Sequence, residues 1–174
     1  YMGFGLGTEL GMVASIFHIL SHAATKSLLF ISAIGLTDVS KGSRKFQDLT
    51  GAAYRHKIAG IGFTVGSLSM VGMPLFSGFV SKLLFAQASI GHAYKMLPAL
   101  IVLGISTILN AIYFMKTVIR IFVPERRSDC EVITIKSEKT YALTIVLFIA
   151  LNIALGMLSQ PIVEWIIMGL DMFA

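Results

Sequence analysis

Long apolar blocks alternate with short polar connectors along this chain, and four blocks stand out: Gly11 to Leu36, Ile58 to Ile90, Met96 to Val123, and Tyr141 to about Met168. A helix that crosses a bilayer needs about 20 apolar residues, so the first, third and fourth blocks each predict one crossing. The second block is too long for one straight crossing and too short for two. As a continuous helix it would reach about 50 Å at 1.5 Å per residue, against a bilayer core of about 30 Å. Its middle reads GMPLFSGF (72–79). Pro74 removes a backbone donor and clashes with the preceding turn, and Gly72 and Gly78 flank it. The block is therefore either one crossing broken near Pro74 or a tight helical pair.

Loop charge separates these two readings. The connector 37–57 carries Lys41, Arg44, Lys45, Arg55 and Lys57, and the connector 124–139 carries Arg126, Arg127, Lys136 and Lys139. The positive-inside rule puts both on the cytoplasmic side, which requires an even number of crossings between them. One broken crossing plus the third block satisfies that; a pair plus the third block does not. The expected fold is an all-α, polytopic membrane protein with about four crossings (11–36, 58–90 broken, 96–123, 141–168) and both ends on the outer side. Connector 37–57 is long enough for a short surface helix.

Composition agrees with a membrane assignment. The chain is 56% hydrophobic and 13% charged, about half the charge of a typical soluble domain. Its net charge of +5 thus reads as orientation signals and lipid-headgroup contacts rather than nucleic-acid binding. The single cysteine, Cys130, excludes an internal disulfide and is expected as a free thiol on a reducing face. The chain starts at Tyr1 without an initiator methionine or a basic stretch before an apolar core, and reads as a piece of a longer protein without a secretory signal of the usual form.

Charge inside the blocks is the candidate chemistry. His18, His22 and Lys26 recur every four residues, on one helix face. Lys26 is the only formal charge between Glu9 and Asp38, and a lysine at the centre of a spanning helix costs about 2.5–3.5 kcal/mol on the lenient insertion scale. Lys82 follows the Pro/Gly break, where backbone groups that lose helical partners must find protein or water. A polar pocket there, lined by Ser67, Ser77 and Ser81, would let a buried lysine change protonation state. The alternative for Lys82 is a capping or packing role at a kink; for Lys26, a packed polar face. Lys116 and Arg120 form an i, i+4 pair, more often an interfacial anchor, with Lys116 a candidate exit group. Asn110 and Tyr113 are expected as interhelical hydrogen-bond partners, His56 and His92 as surface histidines, Glu164 and Asp171 as solvated. Two histidines at i, i+4 could bind Zn²⁺, but no carboxylate or cysteine stands nearby to complete a site. No metal or cofactor is expected, and no phosphate loop or nucleophile–base pair is present.

HILSHAATKSLLFISAIGL (18–36), FQDLTG (46–51) and GSLSMVGMPLFSGFVSK (66–82) resemble, in the same order, motifs of the proton-conducting membrane subunits shared by respiratory complex I (NADH-quinone oxidoreductase chains of the M/N type) and multi-subunit Na⁺/H⁺ antiporters (chains of the D type). The similarity covers about the first 125 residues; the fourth block is only generically similar, and GMPLF has one proline where many members have two. The resemblance implies a membrane-embedded half-channel. Lys26 would be the central lysine of its hydrophilic axis, Lys82 the lysine of its interrupted helix, and His18 and His22 the histidines beside that axis. It implies other membrane subunits as partners, and protons, with or without Na⁺, as cargo, in a multi-pass protein of the plasma membrane. Members are longer and built from two inverted repeats, of which this chain would hold most of the second. Two other classes stay open: a structural subunit that no longer transports, and a secondary transporter of a small solute. Which assembly, ion and redox donor are involved is not decided by these residues, nor is membership of an NADH-quinone oxidoreductase-type translocase.

Overall fold

The computed structural model describes residues 2–90, 93–124 and 139–172; Cys130, His92, Arg126, Arg127 and Lys136 lie outside them. Among the described residues all regular structure is helical: α1 (Met2–Leu6), α2 (Glu9–Asp38), α3 (Ala52–Arg55), α4 (Lys57–Val71), α5 (Ser77–Ile90), α6 (Ala93–Ile121), α7 (Lys139–Met157) and α8 (Ser159–Asp171). Residues 9–38, 94–121 and 139–157 are each long and apolar enough to cross a membrane.

α2 is the axis of the bundle and packs against α1, α4, α5, α7 and α8, while α6 packs on α4 and α5. Thr8 starts α2, its hydroxyl accepting from the Gly11 amide at 3.1 Å, with Glu9 in the positive first turn. Small residues let the helices approach, as is usual where no water drives association. A Cβ on Gly62 would lie 2.8 Å from Ile145 of α7 and also strike the Ser32 hydroxyl of α2.

The facing pairs show how the second apolar block runs. Gly35 lies against Ala59, Ser32 against Gly62, Leu29 against Gly66 and Thr25 against Ser69. The series continues with Ser21 against Ser77 and His18 against Ser81. α4 and α5 therefore follow one another down α2 in one direction, as a single interrupted path rather than a side-by-side pair. Between Thr25 and Ser21 the facing position moves from Ser69 to Ser77, so the connector takes up the difference.

α4 ends in a Schellman turn. Gly72 adopts φ 92, and the amides of Gly72 and Met73 donate to the Ser69 and Leu68 carbonyls at 3.0 Å each. Pro74 follows, and Leu75 also has positive φ (88). Gly78 then passes so close to α4 that a Cβ there would fall on the Ser69 carbonyl oxygen.

Three expectations shift. The apolar run 141–168 is not one helix: it divides at Leu158 (φ -95, ψ 29). Pro161 explains this, since it can give no hydrogen bond to the Met157 carbonyl and its ring crowds that carbonyl. α8 still follows α7 along α2, placing Ile162, Val163 and Ile166 against Ala14, Phe17, Leu84 and Phe85. In connector 37–57, α3 is tucked in rather than on the surface, with Ala52, Ala53 and Arg55 buried. The Gly51 amide donates to the Arg120 carbonyl at 3.4 Å, and a Cβ on Gly60 would stand 2.6 Å from that of Ala53. His56, expected at the surface, is buried; its Nδ1 accepts from the Ala59 amide that opens α4, and its ring packs on Tyr141 at 5.0 Å.

Two apolar clusters bracket a polar layer. One gathers Leu29, Leu36, Phe63, Phe114 and Ile121; the other is the Phe17–Phe85 group. Ser21, Thr25, Ser69, Ser77 and Asn152, all buried, lie between them at the level of the break.

Substitutions at the two break glycines should destabilise through different terms. Gly72→Val, which cannot hold positive φ cheaply, is expected to cost about 1–2 kcal/mol, and Gly72→Asn less, because Asn tolerates that region. Gly78→Ala is expected to cost about 1–3 kcal/mol by overpacking onto backbone. Thermal unfolding of the full-length protein in detergent checks the order; a Gly78→Ala midpoint equal to wild type contradicts the close approach.

Candidate functional site

The interruption leaves two helix ends facing each other at the middle of a membrane bundle. An α-helix leaves its last four carbonyls and first four amides without intrahelical partners, and hydrocarbon supplies none. At the α4 end, the Leu68 and Ser69 carbonyls are taken by the Schellman turn. The other two, Met70 and Val71, are taken by Lys82, whose Nζ donates to them at 3.0 and 2.6 Å. The Lys82 stem passes over Gly72, and a Cβ there would lie 3.0 Å from Lys82 Cδ and 3.2 Å from Nζ. At the α5 end, the Gly78 amide donates to the Ser69 hydroxyl at 3.3 Å. Each half-helix thus caps the other: an amine from α5 closes α4, and a hydroxyl from α4 helps to open α5.

A cavity of about 270 Å³ adjoins this junction. His18, His22 and Thr25 of α2 line it, with Ser69, Met70, Gly78, Ser81, Lys82 and Phe85 of the broken path and Ser106 and Asn110 of α6. His18 Nδ1 is hydrogen-bonded to the Ser81 hydroxyl at 2.6 Å, its ring stands edge-on to Phe85, and its centroid is 5.3 Å from that of His22. The spacing that suggested a shared face brings the two histidines to the cavity that Lys82 of α5 also lines.

Lys26 does not line this cavity. It is half-buried, about one turn beyond His22 along the same face, and has no hydrogen-bond or ion-pair partner among the described residues. Lys116 is farther away still. It sits six residues past Asn110 along α6, exposed, with Nζ 5.5 Å from the centre of the Phe46 ring and Arg120 at 5.8 Å from it; both cations stand over one aromatic ring of the polar connector. Of the serines expected at the pocket, Ser81 lines it and Ser77 lies behind it, whereas Ser67 bonds back to the Phe63 carbonyl inside α4. Asn110 lines the cavity; Tyr113 is exposed and packs edge-on against Phe114. Glu164 is exposed.

From the cavity wall at Ser21, Thr25 and Ser69 back to Asn152 runs a chain that sequence reasoning missed. Ser21 donates to Ser77 at 2.9 Å, Ser77 to Asn152 Oδ1 at 3.1 Å, and Asn152 Nδ2 to Thr25 Oγ1 at 2.8 Å. Thr25 and Ser69 share a hydrogen bond at 3.2 Å. The only signal for Asn152 in the sequence is a lone amide in an uncharged apolar run.

Comparison with known proteins places the chain. Residues 1–115 match the family described as NADH:quinone oxidoreductase/Mrp antiporter, TM. The D subunit of the Na⁺/H⁺ antiporter of Alkalihalophilus pseudofirmus is 30% identical over 165 residues, covering 94% of this chain and 32% of that protein. The N subunit of the NADH-quinone oxidoreductase of Saccharopolyspora erythraea is 25% identical over 163 residues, covering 93% of this chain and 31% of that one. A chain of the Mrp complex from Dietzia sp. DQ12-45-1b shares the fold, with a TM-score of 0.80 at 22% identity over 95% of this chain and 38% of that chain. The chain thus spans about a third of the length of these relatives. The broken membrane path, the motifs around Lys26 and Lys82 and the match over residues 1–115 agree: this chain belongs to the NADH:quinone oxidoreductase/Mrp antiporter transmembrane family.

Proposed function

We propose that this chain carries part of the ion path of a proton-translocating, or coupled proton/cation-translocating, membrane subunit within a larger respiratory or antiporter assembly. The observation that carries this reading is the Lys82 amine, held on the open end of α4 at the wall of a cavity shared with His18 and His22. An ammonium there donates hydrogen bonds to the Met70 and Val71 carbonyls and can give up a proton to water admitted to the cavity. Transfer to water and the imidazoles changes the charge at a junction whose closure depends on that amine. Lys26, next along the α2 face, is the following station, and repulsion between neighbouring positive groups passes the change along. Lys116, over Phe46 at the basic end, serves as the exit group. Membership of a family whose relatives are named as antiporter and oxidoreductase subunits supports cargo and partners of that kind.

The competing role is a fixed structural cap. The two separate in Lys82→Arg, because arginine still donates to carbonyls but stays charged at every relevant pH. In the reconstituted full-length assembly, Lys82→Arg, Lys82→Ala and Lys26→Ala are each expected to lower proton flux at least tenfold. Wild-type flux in Lys82→Arg would leave only the cap, and wild-type flux in both alanine variants would remove this reading altogether.

Orientation is part of the proposal. Connector 37–57, the end of α6 and the start of α7 meet at one end of the bundle, through the Gly51–Arg120 and Tyr141–Ile31 hydrogen bonds. α1 meets Lys95 at the other. With the basic end cytoplasmic, a cysteine at Lys41 in a Cys130→Ser background should react with an impermeant thiol reagent only from the cytoplasmic side; labelling only from outside would invert the topology.

A further inference from the structure

We propose that Asn152 is the positioning residue of the helix break, the clasp that keeps the two half-helices at the separation Lys82 requires. This inference rests on the transport reading above and adds α7 to it, beyond the 1–115 segment that the family description covers.

Asn152 is fully buried. A buried side-chain amide without partners is costly, and here its two ends are used on opposite lips of the break. Its carbonyl accepts from Ser77, the first residue of α5. Its amino group donates to Thr25, which is joined to Ser69 in the last turn of α4. Ser69 directly precedes Met70, whose carbonyl Lys82 holds. The distance the lysine must bridge is therefore set on one side by Ser77 and on the other by Ser69, and Asn152 is tied to the first directly and to the second through Thr25, beside the direct bond of the Gly78 amide to the Ser69 hydroxyl. One turn on, Gly156 completes the contact: a Cβ there would fall on the Leu75 carbonyl oxygen, so the same face of α7 rests on the connector itself.

An amide does not readily give up or take on a proton, so Asn152 is not a station on the ion path. Its effect passes through geometry. With the clasp made, the Met70 and Val71 carbonyls stay within reach of the amine. Without it, the lips separate and the amine loses the position from which it exchanges with the cavity.

Asn152→Leu keeps the approximate shape and removes both hydrogen bonds; Thr25→Val keeps the shape and removes the Asn152–Thr25–Ser69 link alone. In the full-length assembly in liposomes, Asn152→Leu is expected to lower turnover per assembled complex about tenfold, with the apparent KM for the ion unchanged. Thr25→Val should lower it about threefold, and the double variant no further than Asn152→Leu, because both act on one link. Hydrogen exchange of backbone amides should quicken at 72–79 and not at the Phe17–Phe85 cluster. A general packing defect would instead reduce the amount of complex and leave turnover per complex intact. If Asn152→Leu does not assemble, Thr25→Val decides: wild-type turnover in it overturns the clasp. Wild-type turnover in Asn152→Leu alongside a dead Lys82→Ala overturns the clasp alone, whereas wild-type turnover in Lys82→Ala overturns the transport reading on which it rests.

Discussion

A helix that stops inside a membrane exposes carbonyls to a solvent that cannot bond them, and this constraint organises the whole structure. Each such group left unpaired in hydrocarbon costs several kcal/mol. The end of α4 meets the constraint with two backbone amides and one amine. Once Lys82 is recruited to that task, much else is required around it. Gly72 must hold positive φ and leave the lysine stem room, Gly78 must bring α5 onto the Ser69 carbonyl, and Ser69 must return a hydroxyl to the Gly78 amide. The same device recurs at smaller scale at the other end of the bundle, where Lys95 Nζ donates to the Gly5 and Leu6 carbonyls at the close of α1.

The polar layer is the consequence for packing. Ser21, Thr25, Ser69, Ser77 and Asn152 are buried and hydrogen-bond to one another between two apolar clusters. Ser21, Thr25 and Ser69 border the cavity that Lys82, His18 and His22 also line, and Ser77 and Asn152 lie behind it. The polar groups behind the break are bonded to one another, while Lys82 and the histidines border a space bounded by α6. A charge-changing group placed at that boundary has a fixed partner behind it and an exchangeable one in front. That arrangement joins the structural role of the lysine to its proposed chemical role, and makes the two hard to separate by deletion alone.

How much of this was readable in the residues follows from how local each interaction is. Gly72, Pro74 and Gly78 act through their own backbone, so the break was visible in eight letters, and the lone charges at Lys26 and Lys82 stood out against apolar surroundings. Asn152 did not, because its meaning lies in partners 127 and 75 residues away, and an isolated amide in an apolar run looks like ordinary packing. The division at Leu158 was obscured for the opposite reason: Pro161 is in plain view, but the apolar pattern continues through it, and hydropathy is blind to one missing hydrogen bond. The burial of His56 was likewise hidden, since its ring packs on Tyr141 from a distant helix.

The central claim is that the Lys82 amine closes the end of α4 within the bilayer. Dipolar recoupling by solid-state NMR, with ¹⁵N at Lys82 Nζ and ¹³C at the Val71 carbonyl in the full-length protein in lipid, measures that contact directly. A hydrogen bond of this kind puts the two nuclei about 3.5–4 Å apart, and the account predicts a coupling of that size. Dephasing that corresponds to a separation beyond about 6 Å, where no hydrogen bond is possible, would contradict it.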